Sequence, residues 1–405
     1  MSDNLPFPLA SSSWDAREYA AIERVVSSGM FTMGPEVARF EAMFAEALGS
    51  AHAVMVNSGS SANLLMVAAL RYHSRCRLRP GDEVIVPAVS WSTTYFPLYQ
   101  YGLKLVFVDI DRDTLNIDPQ ALAEAIGPRT RAIMAVNLLG NPNDFDRIAE
   151  IVDGRDILLL EDNCESLGAS WRGRQAGTFG IAGSHSSFFS HHIATMEGGM
   201  VVTDDEELHH IMLSLRSHGW TRHLPRENRV TGTKSDDPFE ESFRFVLPGY
   251  NLRPLEISGA IGQEQIAKLP MIVAERRRNA EAFCALMQGY PELRIQRETG
   301  CSSWFGFAMV IEPGAGFSRA ELIAALGRHG IECRPIVAGN FARNSVVARF
   351  MDHRIHGTLH NADEIDRNGL FIGNHHYSLG DRWPLLRAAL DAVTGRNGAA
   401  SGGGI

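Results

Sequence analysis

The chain has 405 residues, with 38 Lys+Arg against 47 Asp+Glu and a formal net charge of −9 at pH 7. That balance argues against nucleic acid as a partner, because neutralising phosphates needs a surplus of clustered cations. Hydrophobic residues make up 45% and charged residues 21%, the composition of a soluble globular chain rather than of a disordered one. No apolar run reaches the roughly 18 residues of a membrane span. The start MSDNLPFPLASSSWDA lacks the basic and apolar regions of a signal peptide, so a cytoplasmic protein with no membrane partner is expected.

Taken in chain order, residues 1–30 read as an N-terminal segment. From about residue 50 to 205, apolar β-rich runs alternate with helical ones. AVMV (53–56) leads through NSGSS into ANLLMVAAL, and EVIVPAV is followed by another apolar helical stretch. KLVFVDI then precedes PQALAEAI, RAIMAVNLL precedes DFDRIAEIV, and DILLLED follows. Continuously apolar strands separated by helices predict an α/β domain whose mostly parallel sheet is covered on both faces, here placed at 31–271. Residues 221–248 break the rhythm with a polar, irregular stretch that reads as a lid, a subunit contact or a plain surface excursion. Residues 255–287 read as a helix interrupted at Pro270. The pattern restarts with WFGFAMVI, SRAELIAALGRHG and RWPLLRAALDAV, which predicts a smaller α/β domain over 272–395. The tail 396–405 has a flexible composition.

Four places carry candidate chemistry. The turn Asn57-Ser58-Gly59-Ser60-Ser61 lies between a strand and a helix, where free N–H groups favour an anion; the same residue types also cap helices with no ligand. Glu161-Asp162 ends a strand at the carboxyl edge of the sheet, so a carboxylate there would hold a cationic ring nitrogen or a metal, or merely cap the next helix. Trp91 ends EVIVPAVSW at the same edge and reads either as a stacking partner for an aromatic ring or as core. Finally, SSFFSHHIATMEGG (186–199) sets His191 and His192 in a turn-like stretch. Imidazole proton chemistry, a metal pair and a structural role for His192 are all open readings. The five cysteines, Cys76, Cys164, Cys284, Cys301 and Cys333, form no CxxC pair, so neither a zinc nor an iron–sulfur site is expected.

The ordered set NSGSSANLL, VPAVSWSTTYFP, FVDID, AVNLLGNP, LLLEDNCESLGA, SSFFSHHIATMEGGMVVT and GYNLRPLEISGAIGQEQIAKL resembles the DegT/DnrJ/EryC1/StrS family of pyridoxal-phosphate enzymes acting on nucleotide sugars. The resemblance implies the type I, aspartate aminotransferase-like fold and a homodimer with active sites shared between subunits. One departure matters. Family aminotransferases bind the cofactor covalently through a lysine where this chain has His191, and no lysine occurs between 104 and 234. Histidine there marks the sugar 3-dehydratase branch, in which the cofactor works as pyridoxamine phosphate with L-glutamate as amino donor. Because the 221–248 loop has no cysteine, the resemblance implies the type without an iron–sulfur cluster. That type acts on a GDP-linked 4-keto-6-deoxymannose in surface polysaccharide synthesis; RPIVAGNF (334–341) and FIGNHH (371–376) also look like it.

The roles that the resemblance implies are as follows. Gly59, Ser60 and Ser186 would bind the cofactor phosphate, joined by Asn251 of a neighbouring subunit. Asp162 would keep the ring nitrogen protonated, Trp91 would stack on the ring, and Glu165 would lie at its edge. Arg253 would hold a carboxylate of the amino donor or form an exposed ion pair, and His191 would move protons. The competing readings are a family aminotransferase with another residue doing the work of the lysine, and an inactive binding or regulatory homologue.

Overall fold

The computed structural model describes residues 5–396, so the tail, apart from Arg396, lies outside the described residues. Seven strands of the first half are short and almost wholly buried: β1 (His52–Val56), β2 (Glu83–Pro87), β3 (Lys104–Val108), β4 (Thr130–Val136), β5 (Leu158–Asp162), β6 (Ala182–Ser186) and β7 (Gly199–Thr203). Side chains buried on both faces are what a helix-covered sheet requires, and the order is β1-β7-β6-β5-β4-β2-β3. Only β7 runs antiparallel to its neighbours. An eighth strand, His353–Ile355, returns from late in the chain to pair parallel with β3. The α/β expectation is thereby met.

A smaller antiparallel sheet holds Leu293–Ile295, Gly306–Ile311, Gly369–Gly373 and Cys333–Arg334 in that order. Its core joins Phe307 and Met309 to Leu322 and Leu326 of the helix Arg319–Arg328, and to Leu386 and Leu390 of the helix Trp383–Thr394. Phe7, from the N-terminal segment, is buried in this same core and pairs with Ile331.

The sequence reading of a break at Pro270 is corrected. One helix runs from Glu256 to Met287, 32 residues, straight through Pro270 and through residue 272. Its first half buries Gly259, Gly262 and Ile266 against the helix Pro35–Leu48, and its second half buries Phe283 and Met287 in the small-domain core. Proline removes the helical donor to the Ile266 carbonyl, but Pro270 sits on the exposed side and the buried stripe opposite holds the helix together. The 221–248 segment contains a two-residue ladder, Glu227–Asn228 with Gly232–Thr233, and a short helix, Pro238–Ser242. Among the described residues no helix is long and apolar enough to cross a membrane.

Restoring the missing donor is expected to stabilise the long helix. Pro270→Ala should therefore raise unfolding stability by about 1–2 kcal/mol, less than proline's full helical penalty because alanine also frees the unfolded chain. A lower chemical-denaturation midpoint would show that the proline bend is needed for packing.

Candidate active site

The carboxyl ends of β1, β2, β4, β5 and β6 border a cavity of about 550 Å³, which the small domain closes with Phe305, Arg334 and Phe371. Such an edge is where open parallel sheets collect side chains from separate loops. Seven residues singled out in the sequence line it together: Gly59, Ser60, Trp91, Asp162, Glu165, Ser186 and His191. Asn251 and Arg253 do not; Asn251 is exposed, and the Arg253 Nε donates to its Oδ1 at 3.0 Å.

The turn after β1 does both things its residues suggested. Ser58 caps the helix Gly59–Leu70, its Oγ accepting the Ser61 N–H at 3.1 Å. Gly59 and Ser60 then stand at the positive end of that helix, where the first N–H groups have no partner within it. A Cβ on Gly59 would come 2.5 Å from the Ser186 Cβ, so only glycine lets the end of β6 close on this helix start. The Ser60 and Thr93 hydroxyls lie 2.9 Å apart, tying the turn to the start of the helix Ser92–Gln100 that follows the loop after β2. Trp91, from that loop, is 58% exposed, which rules out the core reading.

The two carboxylates ending β5 have separate tasks, because successive residues of a strand face opposite sides. Glu161 turns inward, fully buried, and accepts the N–H groups of Gly177 and Phe179 at 2.6 Å and Gly180 at 2.9 Å. Asp162 turns to the cavity. Its Oδ2 accepts from Asn63 Nδ2 at 2.8 Å and Thr94 Oγ1 at 2.6 Å, and the Ser184 hydroxyl donates to Asn63 Oδ1 at 2.6 Å, which fixes that amide's orientation. Asn63 and Thr94 were missed in the sequence, although Asn63 stands four residues after Gly59, on the same helix face.

Glu165 accepts the Leu139 N–H at 3.0 Å, while burial, reinforced by the nearby Asp162 charge, pushes its carboxyl up to about 7. Burial and Asp162 also push the Cys164 thiol well above its ordinary value.

His191 and His192 diverge. His191 lines the cavity, its ring 5.2 Å from that of Phe305, and its Nδ1 is buried without a hydrogen-bond partner. Burial, with the Arg276 charge adding to it, lowers its imidazole to about 4, so the ring is neutral near pH 7. His192 is buried beneath the site, with Nε2 donating to the Ser303 carbonyl at 3.1 Å. It ties the loop after β6 to the small domain. A metal pair is not what these two rings form, and among the described residues no group of three or more His, Cys, Asp or Glu is placed to hold a metal ion.

The chain's three lysines are all engaged away from the cavity. Lys104 pairs with Asp352 at 3.5 Å, Lys234 donates to the Leu224 carbonyl at 3.1 Å, and Lys268 pairs with Glu18 at 2.6 Å. None lines the cavity.

Residues 12–379 match the DegT/DnrJ/EryC1/StrS aminotransferase family. The chain is 59% identical over 384 residues to a GDP-4-keto-6-deoxy-D-mannose 3-dehydratase of Escherichia coli O55:H7, covering 95% of this chain and 99% of that protein. It is 60% identical over 376 residues to the protein of the same name from Yersinia pseudotuberculosis, covering 93% and 96%. Its structure superposes with a TM-score of 0.94, at 58% identity over 95% of this chain and all of the other, on a GDP-4-keto-6-deoxymannose-3-dehydratase with a trapped PLP-glutamate geminal diamine.

Because the Glu165 carboxyl has its folded value raised from 4.5 to about 7, the folded state holds that proton more tightly. The resulting stability is complete below about pH 4.5 and is lost as pH rises through 7. Glu165→Gln keeps the shape and removes the charge, so at pH 8 the cofactor-free protein should melt roughly 2 °C higher than wild type. The difference should shrink at pH 5. A melting difference independent of pH would contradict the assignment.

Proposed function

The chain belongs to the DegT/DnrJ/EryC1/StrS aminotransferase family, and we propose that it removes the C3 hydroxyl of a GDP-linked 4-keto-6-deoxymannose, using pyridoxamine phosphate and glutamate. The observation that carries this reading is a neutral histidine, His191, in a family site that no lysine lines. High identity over nearly full length to two proteins named for this reaction supports it.

The residues present fit pyridoxal phosphate. A helix start opened by Gly59 fits a phosphate, since a side chain there would fill the space, and Ser60 and Ser186 add hydroxyls beside it. Asp162, braced by two donors on one oxygen and facing the cavity, fits a protonated ring nitrogen. Trp91 offers an indole face to the ring, and Glu165 a carboxyl at its edge. Asn251, outside its own subunit's cavity, is assigned to a second copy's phosphate site, which makes the working unit a homodimer with shared sites. When bound, the cofactor supplies an amine that condenses with the C4 ketone and a ring that takes up an electron pair.

His191 then works as the proton carrier. Neutral at working pH, it takes a proton from carbon on one ring nitrogen, and as imidazolium it gives that proton to the departing C3 hydroxyl. The half-buried aromatic wall of Phe305 limits the water that could compete for the proton. The overall reaction balances: the sugar loses one oxygen, and glutamate leaves as 2-oxoglutarate and ammonia. Arg253 would meet the glutamate carboxylate only from a neighbouring subunit. An aminotransferase reading lacks its amine nucleophile, since all three lysines are engaged elsewhere.

Product analysis with GDP-4-keto-6-deoxymannose and glutamate tests the reaction: a 4-keto-3,6-dideoxy sugar and ammonia are expected, and a stable amino sugar would refute it. Borohydride should leave the cofactor removable by dialysis; a reduced pyridoxyl group on any lysine would contradict the noncovalent site.

His191→Asn should still bind the cofactor but dehydrate more slowly by on the order of 10²–10⁴-fold, the contribution of a positioned acid or base. His191→Lys should hold the cofactor covalently and drift toward transamination. His192→Asn should cost stability, because it disturbs the tie to Ser303, and far less rate. A wild-type rate in His191→Asn beside a dead His192→Asn, in single-turnover measurements, would reverse the two roles.

A further inference from the structure

Apart from the neutral His191, the cavity is lined by one basic side chain among the described residues, Arg334. It stands on the edge strand Cys333–Arg334 of the small sheet, opposite Phe371. Alternation along that strand turns Cys333 onto the small-domain core and Arg334 toward the cavity, beside Pro335 and Phe371. Its nearest carboxylate, Glu332, is 3.9 Å away and already accepts the Leu9 N–H at 3.0 Å. An exposed pair of that length holds a guanidinium only weakly. Arg253, by contrast, does not line the cavity and donates to Asn251.

A guanidinium with its planar fork free at the wall of the cavity matches an oxyanion. Under the function proposed above, on which this inference rests, both substrates bring one: glutamate its carboxylates and the nucleotide sugar its diphosphate. The helix start at Gly59 is taken by the cofactor phosphate in that reading, so it is not available to them. We infer that Arg334 is the substrate-anion residue of this site, contributed by the small domain of the same subunit. It receives a carboxylate or diphosphate oxygen pair from the substrate occupying the cavity.

The test uses full-length protein loaded with pyridoxal phosphate, as wild type, Arg334→Gln and Arg334→Lys. Loss of the cofactor's absorbance against glutamate concentration gives half-saturation and limiting rate, and calorimetric titration with GDP gives a Kd that needs no turnover. Loss of a charge-assisted contact should raise one or both constants by about 10–100-fold in Arg334→Gln. The limiting rate at saturating glutamate should stay within about twofold. Lysine, which keeps the charge without the fork, should fall between and serves if the glutamine variant is unstable. A rise for glutamate alone assigns the carboxylate, a rise for GDP alone the diphosphate, and a rise in both a shared contact. Unchanged constants in the variants beside a working wild type overturn the inference alone. A wild-type protein that neither converts the cofactor with glutamate nor binds GDP overturns the proposed function and this inference with it.

Discussion

Glu161 is fully buried, and its carboxylate binds three successive-loop N–H groups, of Gly177, Phe179 and Gly180, with the Asn137 amide as a fourth donor at 3.2 Å. Burial pushes its pKa up while those donors pull it down, the balance expected of a structural carboxylate in a low-dielectric interior. Leaving such amides without an acceptor would cost about 1–3 kcal/mol each. The clamp fixes the loop that leads into β6 against the end of β5. That fixes the pairing of Asp162 with Ser184, and two residues on it delivers Ser186 to Gly59. The cavity's two anchoring walls therefore inherit their spacing from a residue that never touches it.

Around Asp162 the same logic runs outward through small polar groups. Ser184 orients Asn63, Asn63 and Thr94 hold one oxygen of the carboxylate, and the Cys164 N–H at 3.2 Å meets the other. A carboxylate held this way has little freedom to rotate, so a cation placed before it meets a fixed charge rather than a mobile one. These groups come from two helices, one strand and the turn after β5, all meeting at the sheet edge.

Some of this was legible in the sequence and some was not, for identifiable reasons. The parallel sheet was legible because continuously apolar runs such as EVIVPAV, buried on both faces, recur between helical segments. Asp162 and the Gly59 turn were legible because strand ends and helix starts are places where chemistry concentrates. Asn63 and Thr94 were hidden because a helical asparagine or threonine announces nothing about which neighbour it will meet. Pro270 misled because proline's local penalty is visible in sequence, whereas the buried stripe that outweighs it depends on two separate domains. The division of labour between His191 and His192 is a matter of which direction a turn points two adjacent rings, which only tertiary packing sets. Arg334 and Phe305 come from a second domain far along the chain, and no local pattern links them to residue 191.

The site's charge balance follows from the residue at 191. Asp162, Glu165 and Glu197 line the cavity together, and a lysine in place of His191 would add a cation among them. Imidazole lowered to about 4 adds none. Without that neighbouring charge only the Leu139 N–H opposes the burial of Glu165 and the nearby Asp162 charge, and its carboxyl rises to about 7, so that it carries a proton for part of the physiological range. A proton on Glu165 lessens the negative charge that any phosphate or carboxylate ligand must face. With no lysine at the cavity, the contacts it offers are noncovalent ones, chief among them the helix start at Gly59 and the braced Asp162.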